Sequence, residues 1–120
     1  MTEVKIEDGN LVIEMRGIDI VLSTRHRITY PLAHVVNAEV VTDLLAQSKV
    51  GWKIAGGYWS GSFRNGYFRE HGTRVFWNVR PLKGSRAVAV TLRDQDTVRL
   101  VLGVEDPEAV AAMVNAAVLG

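Results

Sequence analysis

The sequence predicts a mainly β domain closed by one C-terminal helix. Three observations carry that prediction. Short alternating or β-branched runs recur along the chain, separated by turn pairs such as Asp8-Gly9, Asn65-Gly66 and His71-Gly72. Such short, even spacing points to a β-barrel or sandwich. Sustained helical periodicity is confined to the end, where Val110, Met113, Val114, Ala117 and Val118 form one apolar stripe. Finally, 120 residues with 48% hydrophobic and 22% charged content describe one globular domain, large enough to bury a core without disulfide or metal staples.

The elements follow in order. Residues 3–7 and 11–15 alternate around Asp8-Gly9-Asn10, residue types that tolerate positive φ, and so form a hairpin. Val4, Ile6, Leu11, Ile13 and Met15 then face the core. After Gly17 a third strand places Ile18, Ile20, Leu22, His26, Ile28 and Tyr30 on one side, with Arg25, Arg27 and Thr29 on the other. Pro31 has no N–H to donate, so that strand ends there and residues 31–34 turn a corner. Residues 35–41 are β-branched enough for a fourth strand, and 42–49 hold the one internal helical turn or two.

Residues 51–77 contain every aromatic except Tyr30, interleaved with six glycines. Tyr67-Phe68-Arg69 and residues 74–79 make a hairpin about His71-Gly72. Val75, Trp77 and Val79 share one face of it and Phe76 takes the other. Residues 56–66 read as a flexible loop because of their glycines. Residues 86–93 and 97–103 form a last hairpin across Asp94-Gln95-Asp96. Asp106 then caps a helix over about 107–118, with Pro107 at its first position and Glu108 at the positive end of its dipole. Beyond its first turn only Asn115 is strongly polar, so the helix is expected to be covered on two sides. With no repeat or linker in view, residues 1–120 are one domain.

Composition removes several functions. A net charge of +1 supplies no global field toward nucleic acid or anionic membrane. The absence of cysteine excludes disulfides, thiolate catalysis and Cys-based metal sites. Residues 1–10 are acidic without an apolar run, so no signal peptide is expected, and no run approaches the roughly 20 residues of a transmembrane helix. The cytoplasm is the expected location. His26, His34 and His71 are too scattered for a metal site, and Asp94 and Asp96 suit a hairpin tip. Residues 57–61 lack the Gly-x-Ser-x-Gly spacing of a nucleophile elbow, and no phosphate loop is present. No catalytic residue, metal or cofactor is assigned, and the chain is expected not to be an enzyme.

What remains is a mixture of rings and cations. Lys53, Arg64, Arg69, Arg74 and Arg80 alternate with Trp52, Trp59, Phe63, Phe68 and Trp77. Single-stranded nucleic acid would use that mixture for stacking and phosphate contacts, but the near-zero net charge disfavours it. A protein interface uses the same residue types. Most of the rings are needed to fill the core. Tyr58, Trp59 and Phe63, beside Arg64 and with Arg69 further on, are the candidate binding set.

Four phrases appear in an order that resembles the pleckstrin-homology-like (PH-like) domain proteins of bacteria. They are IEDGNLVIEMRGID at 6–19, RHRITYPLAHV at 25–35, the Gly/aromatic segment at 56–77, and LVLGVEDPEAVAAMV at 100–114. The resemblance implies a PH-like barrel of about seven strands in two near-orthogonal sheets, with the helix plugging one end. Lipid-binding members carry a basic motif around the first hairpin. Lys5 and Arg16 match its ends, but Glu14 occupies the intervening basic position and the turn is acidic, which argues against phosphoinositide binding. The aromatic segment, the apolar helix and open β edges together point to a non-enzymatic domain that binds a protein partner or self-associates as an oligomer. The alternative is a small-molecule or anionic lipid-headgroup binder using Arg25, Arg27, Arg64 and Arg69.

Overall fold

Tight turns build most of the molecule. The computed structural model describes residues 2–14, 27–42, 52–59, 63–70, 72–79 and 86–120, with the backbone alone at 52–59, 63–66 and 70. Strands β1 (Glu3–Glu7) and β2 (Asn10–Glu14) pair across Asp8-Gly9, whose φ values of 50° and 76° are those a two-residue hairpin turn requires. Strand β3 (Arg27–Pro31) pairs with β2, completing a three-stranded antiparallel sheet in the order β1-β2-β3. At Pro31 the chain turns through a short 3-10 helix, Leu32–His34.

The second sheet has six strands: β4 (Val35–Val41), β5 (Trp52–Trp59), β6 (Phe63–Glu70), β7 (Thr73–Val79), β8 (Ala87–Leu92) and β9 (Thr97–Leu102). Their order is β4-β8-β9-β7-β6-β5. Strand β9 lies between β7 and β8 and runs parallel to β7. The last element is helix α1 (Pro107–Leu119), capped by the Asp106 side chain, which accepts from the Ala109 N–H at 3.1 Å. Arg86 reinforces its first turn through Glu108 at 2.6 Å.

The mainly β class, the early hairpin, the strand at 35–41, the His71-Gly72 and Asp94–Asp96 hairpins and the capped helix all match expectation. Three features differ. The described residues contain nine strands, in two sheets that do not close into a barrel. Residues 56–59 and 63–66, read as loop, are paired strand, with Gly56 opposite Gly66 and Gly57 opposite Asn65. Cross-strand pairing to β7 supplies what local propensity lacks there. Helix α1 is covered on one side only among the described residues, its outer positions Ala109, Ala112, Met113 and Ala116 being exposed. The readings made for residues 15–26, 43–51, 60–62, 71 and 80–85 lie outside the described residues.

The main core forms where the small sheet, one face of the large sheet and α1 meet. Leu11, Ile13 and Ile28 pack there with Phe76, Val88, Val90, Leu100, Leu102, Ala111 and Val114. The opposite face of the large sheet carries a second buried cluster that includes Phe68, Val75, Trp77, Val79, Ala89 and Val101. At the junction, the Thr2 hydroxyl donates to the Asn78 side-chain oxygen, and Gly103 N–H donates to the Asn78 carbonyl at 2.7 Å. One polar knot thus joins the first described residue to the ends of β7 and β9.

Asn115 has a structural role. Its Nδ2 donates to the Ala38 carbonyl and its Oδ1 accepts from the Ala38 N–H, both at 2.8 Å. An asparagine amide presents one donor and one acceptor side by side, as a neighbouring strand would. Asn115 therefore occupies part of the β4 edge that sequence alone leaves open to another chain.

Candidate functional site

The five predicted binding residues do not form one cluster. Tyr58 and Trp59 end β5, and Phe63 and Arg64 begin β6, with Tyr58 paired to Arg64 and Trp59 to Phe63 across the hairpin. Their backbones are therefore adjacent, on strands rather than in a loop. Arg69 sits at the opposite end of β6, beside the β6–β7 turn. At a rise of about 3.3 Å per residue, its backbone lies roughly 16 Å from that of Arg64. Arg25, offered for an anion site, lies outside the described residues, and Arg27 is engaged elsewhere.

Arg69 borders a cleft of about 460 Å³ lined by Gly72, Thr73, Arg74, Gln95, Asp96 and Val98. Its walls are the β6–β7 and β8–β9 turns. Glu70 pairs with Thr73 across His71-Gly72, and Gly72 adopts φ +81°, a conformation that would strain a residue with a Cβ. The next pair outward is Arg69 with Arg74. Arg74 donates through Nε to the Thr97 hydroxyl at 2.9 Å, and its guanidinium lies 4.7 Å from the centre of the Tyr67 ring. Tyr67 in turn packs on Phe76 with ring centres 5.0 Å apart. The core thus fixes Arg74 from below.

A second cleft, of about 380 Å³, lies between β1 and the start of α1. Val4, Val104, Ala109, Val110 and Met113 supply its apolar surface, and Glu3, Glu105 and Asp106 bring carboxylates. Met113 is 36% exposed, one of the few large apolar side chains so open among the described residues. Sequence reading placed Met113 on the inward stripe, because helical spacing alone does not say which edge of a stripe meets the sheet.

The outer face of the small sheet is charged but internally paired. Glu14 receives Lys5 at 2.5 Å and Arg27 at 3.7 Å, and Arg27 also reaches Glu7 at 3.8 Å. The hydrogen bond from Lys5 to Glu14 raises the Lys5 pKa above the usual lysine value, partial desolvation opposes it, and the charges of Glu14, Glu7 and Glu3 add to the rise. The cation that matches one end of the lipid-binding motif is therefore already neutralised. His34, on the 3-10 helix, holds its ring Nδ1 3.1 Å from the Arg93 carbonyl, and Arg93 Nε donates to the Ala33 carbonyl at 2.9 Å, so both serve the corner after Pro31.

Compared with known proteins, the sequence matches no family model and no characterised protein, and the fold matches no solved structure. No helix among the described residues is long and apolar enough to cross a membrane. The class defined by fold and site is thus a mainly β protein of two sheets with a C-terminal helix, whose described residues include an apolar cleft lined also by carboxylates and a polar, arginine-lined cleft.

Proposed function

We propose that this chain is a non-enzymatic interaction domain that binds a protein partner in the cleft between β1 and α1. The observation that carries the reading is Met113, exposed in a cleft whose lining includes Val4, Val104 and Val110 together with Glu3, Glu105 and Asp106. An apolar floor with a carboxylate rim fits a partner segment that presents an apolar side chain flanked by lysine or arginine. Strand β1 is the outer strand of its sheet among the described residues, so an extended segment is the form best suited to lie along it. The finer fold reading, a bacterial PH-like domain acting in the cytoplasm, belongs to the same proposal. It is supported by the order of the sequence phrases, the two-sheet layout and the helix at the C-terminal end.

The test is selection of a random peptide library on the wild-type chain, with counter-selection on Met113→Glu. Extended peptides with apolar residues between basic ones, lost on the variant, are the expected result. Enrichment that ignores Met113→Glu, or no enrichment, overturns the reading. Light scattering after size-exclusion chromatography, at high micromolar concentration, decides whether the occupant is a second copy. A dimer dispersed by Met113→Glu would assign the cleft to self-association.

A further inference from the structure

Arg69 and Arg74 stand directly opposite one another in the antiparallel β6–β7 pair. Residues so placed project from the same face, and like charges there repel. β9 extends the row, since Thr97 is the register partner of Arg74. Arg74 spends Nε on Thr97 and one flat face on Tyr67, which leaves the Nη edge of its guanidinium uncommitted. Arg69 makes only a long 3.4 Å contact from Nη1 to the Gly72 carbonyl. Neither guanidinium has an ion-pair partner among the described residues, whereas Arg27 and Arg86 both meet carboxylates. Two cations on register partners, neither in an ion pair among the described residues and one of them pinned from the core, form a preorganised anion site with Asp96 on its far wall.

We infer that this cleft binds the phosphate group of a small hydroxylated phosphate monoester. A dianion offsets both guanidinium charges, where a single carboxylate would offset one. Phosphate also offers enough acceptor oxygens for both guanidinium edges. Asp96, on the β8–β9 side, repels a bare anion but accepts from a hydroxyl, which sets the side on which the remainder of the ligand lies. A cleft of about 460 Å³ is of small-molecule size. The monoester can be a free metabolite or a membrane headgroup, and the chemistry of recognition is the same.

The experiment is an NMR titration of the full chain at low ionic strength, with glycerol 3-phosphate and inorganic phosphate against chloride at matched ionic strength. Saturable amide shifts at Gly72, Thr73, Gln95 and Asp96 are expected. Arg69→Gln and Arg74→Gln should each weaken binding about tenfold, the scale of one charge-assisted hydrogen bond. Arg69→Gln relieves like-charge repulsion, so its unfolding midpoint should not fall, which separates lost binding from lost folding. Asp96→Asn should tighten inorganic phosphate and lose the preference for glycerol 3-phosphate. A parallel flotation uses phosphatidylcholine vesicles with and without lysophosphatidic acid, a phosphate monoester that keeps one free glycerol hydroxyl. Binding that depends on Arg69 and on lysophosphatidic acid assigns a headgroup, and binding to the soluble monoester alone assigns a free ligand. No saturable shift with either phosphate, or affinity unchanged in both arginine variants, overturns the inference. The β1–α1 proposal uses none of these residues and stands or falls separately.

Discussion

In the three-stranded sheet, apolar and charged positions alternate. Val4, Ile6, Leu11, Ile13, Ile28 and Tyr30 face the core, while Glu3, Lys5, Glu7, Glu14 and Arg27 form a lattice of opposite charges outside, with buried Val12 the exception on that side. The described residues of the six-stranded sheet show no such division. Phe76, Val88, Val90 and Leu100 fill one face, and Val75, Trp77, Ala89 and Val101 are equally buried on the other. Its charge conflict sits at one end, where Arg69 faces Arg74. The small sheet pairs its charges within itself, whereas among the described residues of the large sheet Arg69 and Arg74 have no ion-pair partner. The latter condition is the one on which the proposed anion site rests.

The largest effect that would break this comparison is in the core. Trp77→Ala should cost about 3–5 kcal/mol, as much as Phe76→Ala on the opposite face. Urea unfolding measures both. A Trp77 loss near that of a surface substitution would mean that the second face is not a core. Next comes Asn115→Leu, which strips Ala38 of both partners and should cost about 1–3 kcal/mol. Concentration-dependent association of that variant would show that Asn115 also guards the β4 edge.

Charge reversals sharpen the contrast through opposite signs. Glu14→Lys puts a third cation beside Lys5 and Arg27 and should destabilise by about 1 kcal/mol, whereas Arg69→Glu turns a like pair into an opposite one and should stabilise by about 0.5 kcal/mol. Chemical denaturation at low salt reads both, and equal signs would erase the distinction. The smallest effect is in pH. Because the folded-state pKa of Lys5 is raised, its contribution is complete below the usual lysine value of 10.5 and is lost as pH climbs through the raised value. Lys5→Gln should remove that alkaline limb from the stability profile.

Local chemistry was legible wherever a few adjacent residues determine conformation. Asp8-Gly9 announced its turn, Asp106-Pro107 its helix start, and alternation in residues 75–79 put Trp77 and Phe76 on opposite faces as observed. The Gly56–Gly66 pairing was not legible, because glycine weakens a strand locally and only the neighbouring strands restore it. Nor was the parallel pairing of β7 with β9, which brings residues more than twenty positions apart into register. Of the arginine cleft, the Arg69–Arg74 pair follows from counting outward from His71-Gly72. Thr97 and Asp96 arrive through that same distant pairing, so the row could not be completed from sequence. Asn115 looked like a stray polar residue because its partner is a backbone seventy-seven positions away.

The position of β9 also has a meaning in time. A ribosome delivers β7 and then β8 before the strand that will lie between them. At about 5–20 residues per second, β7 waits roughly one to five seconds with one edge open and apolar side chains on both faces. Translation therefore creates a brief sticky interval that the finished protein no longer shows. Nascent chains arrested before residue 97 should be protease-sensitive and retained by holding chaperones, while chains arrested after the helix has cleared the tunnel should resist. Equal resistance at both points would mean that β7 finds shelter before β9 arrives.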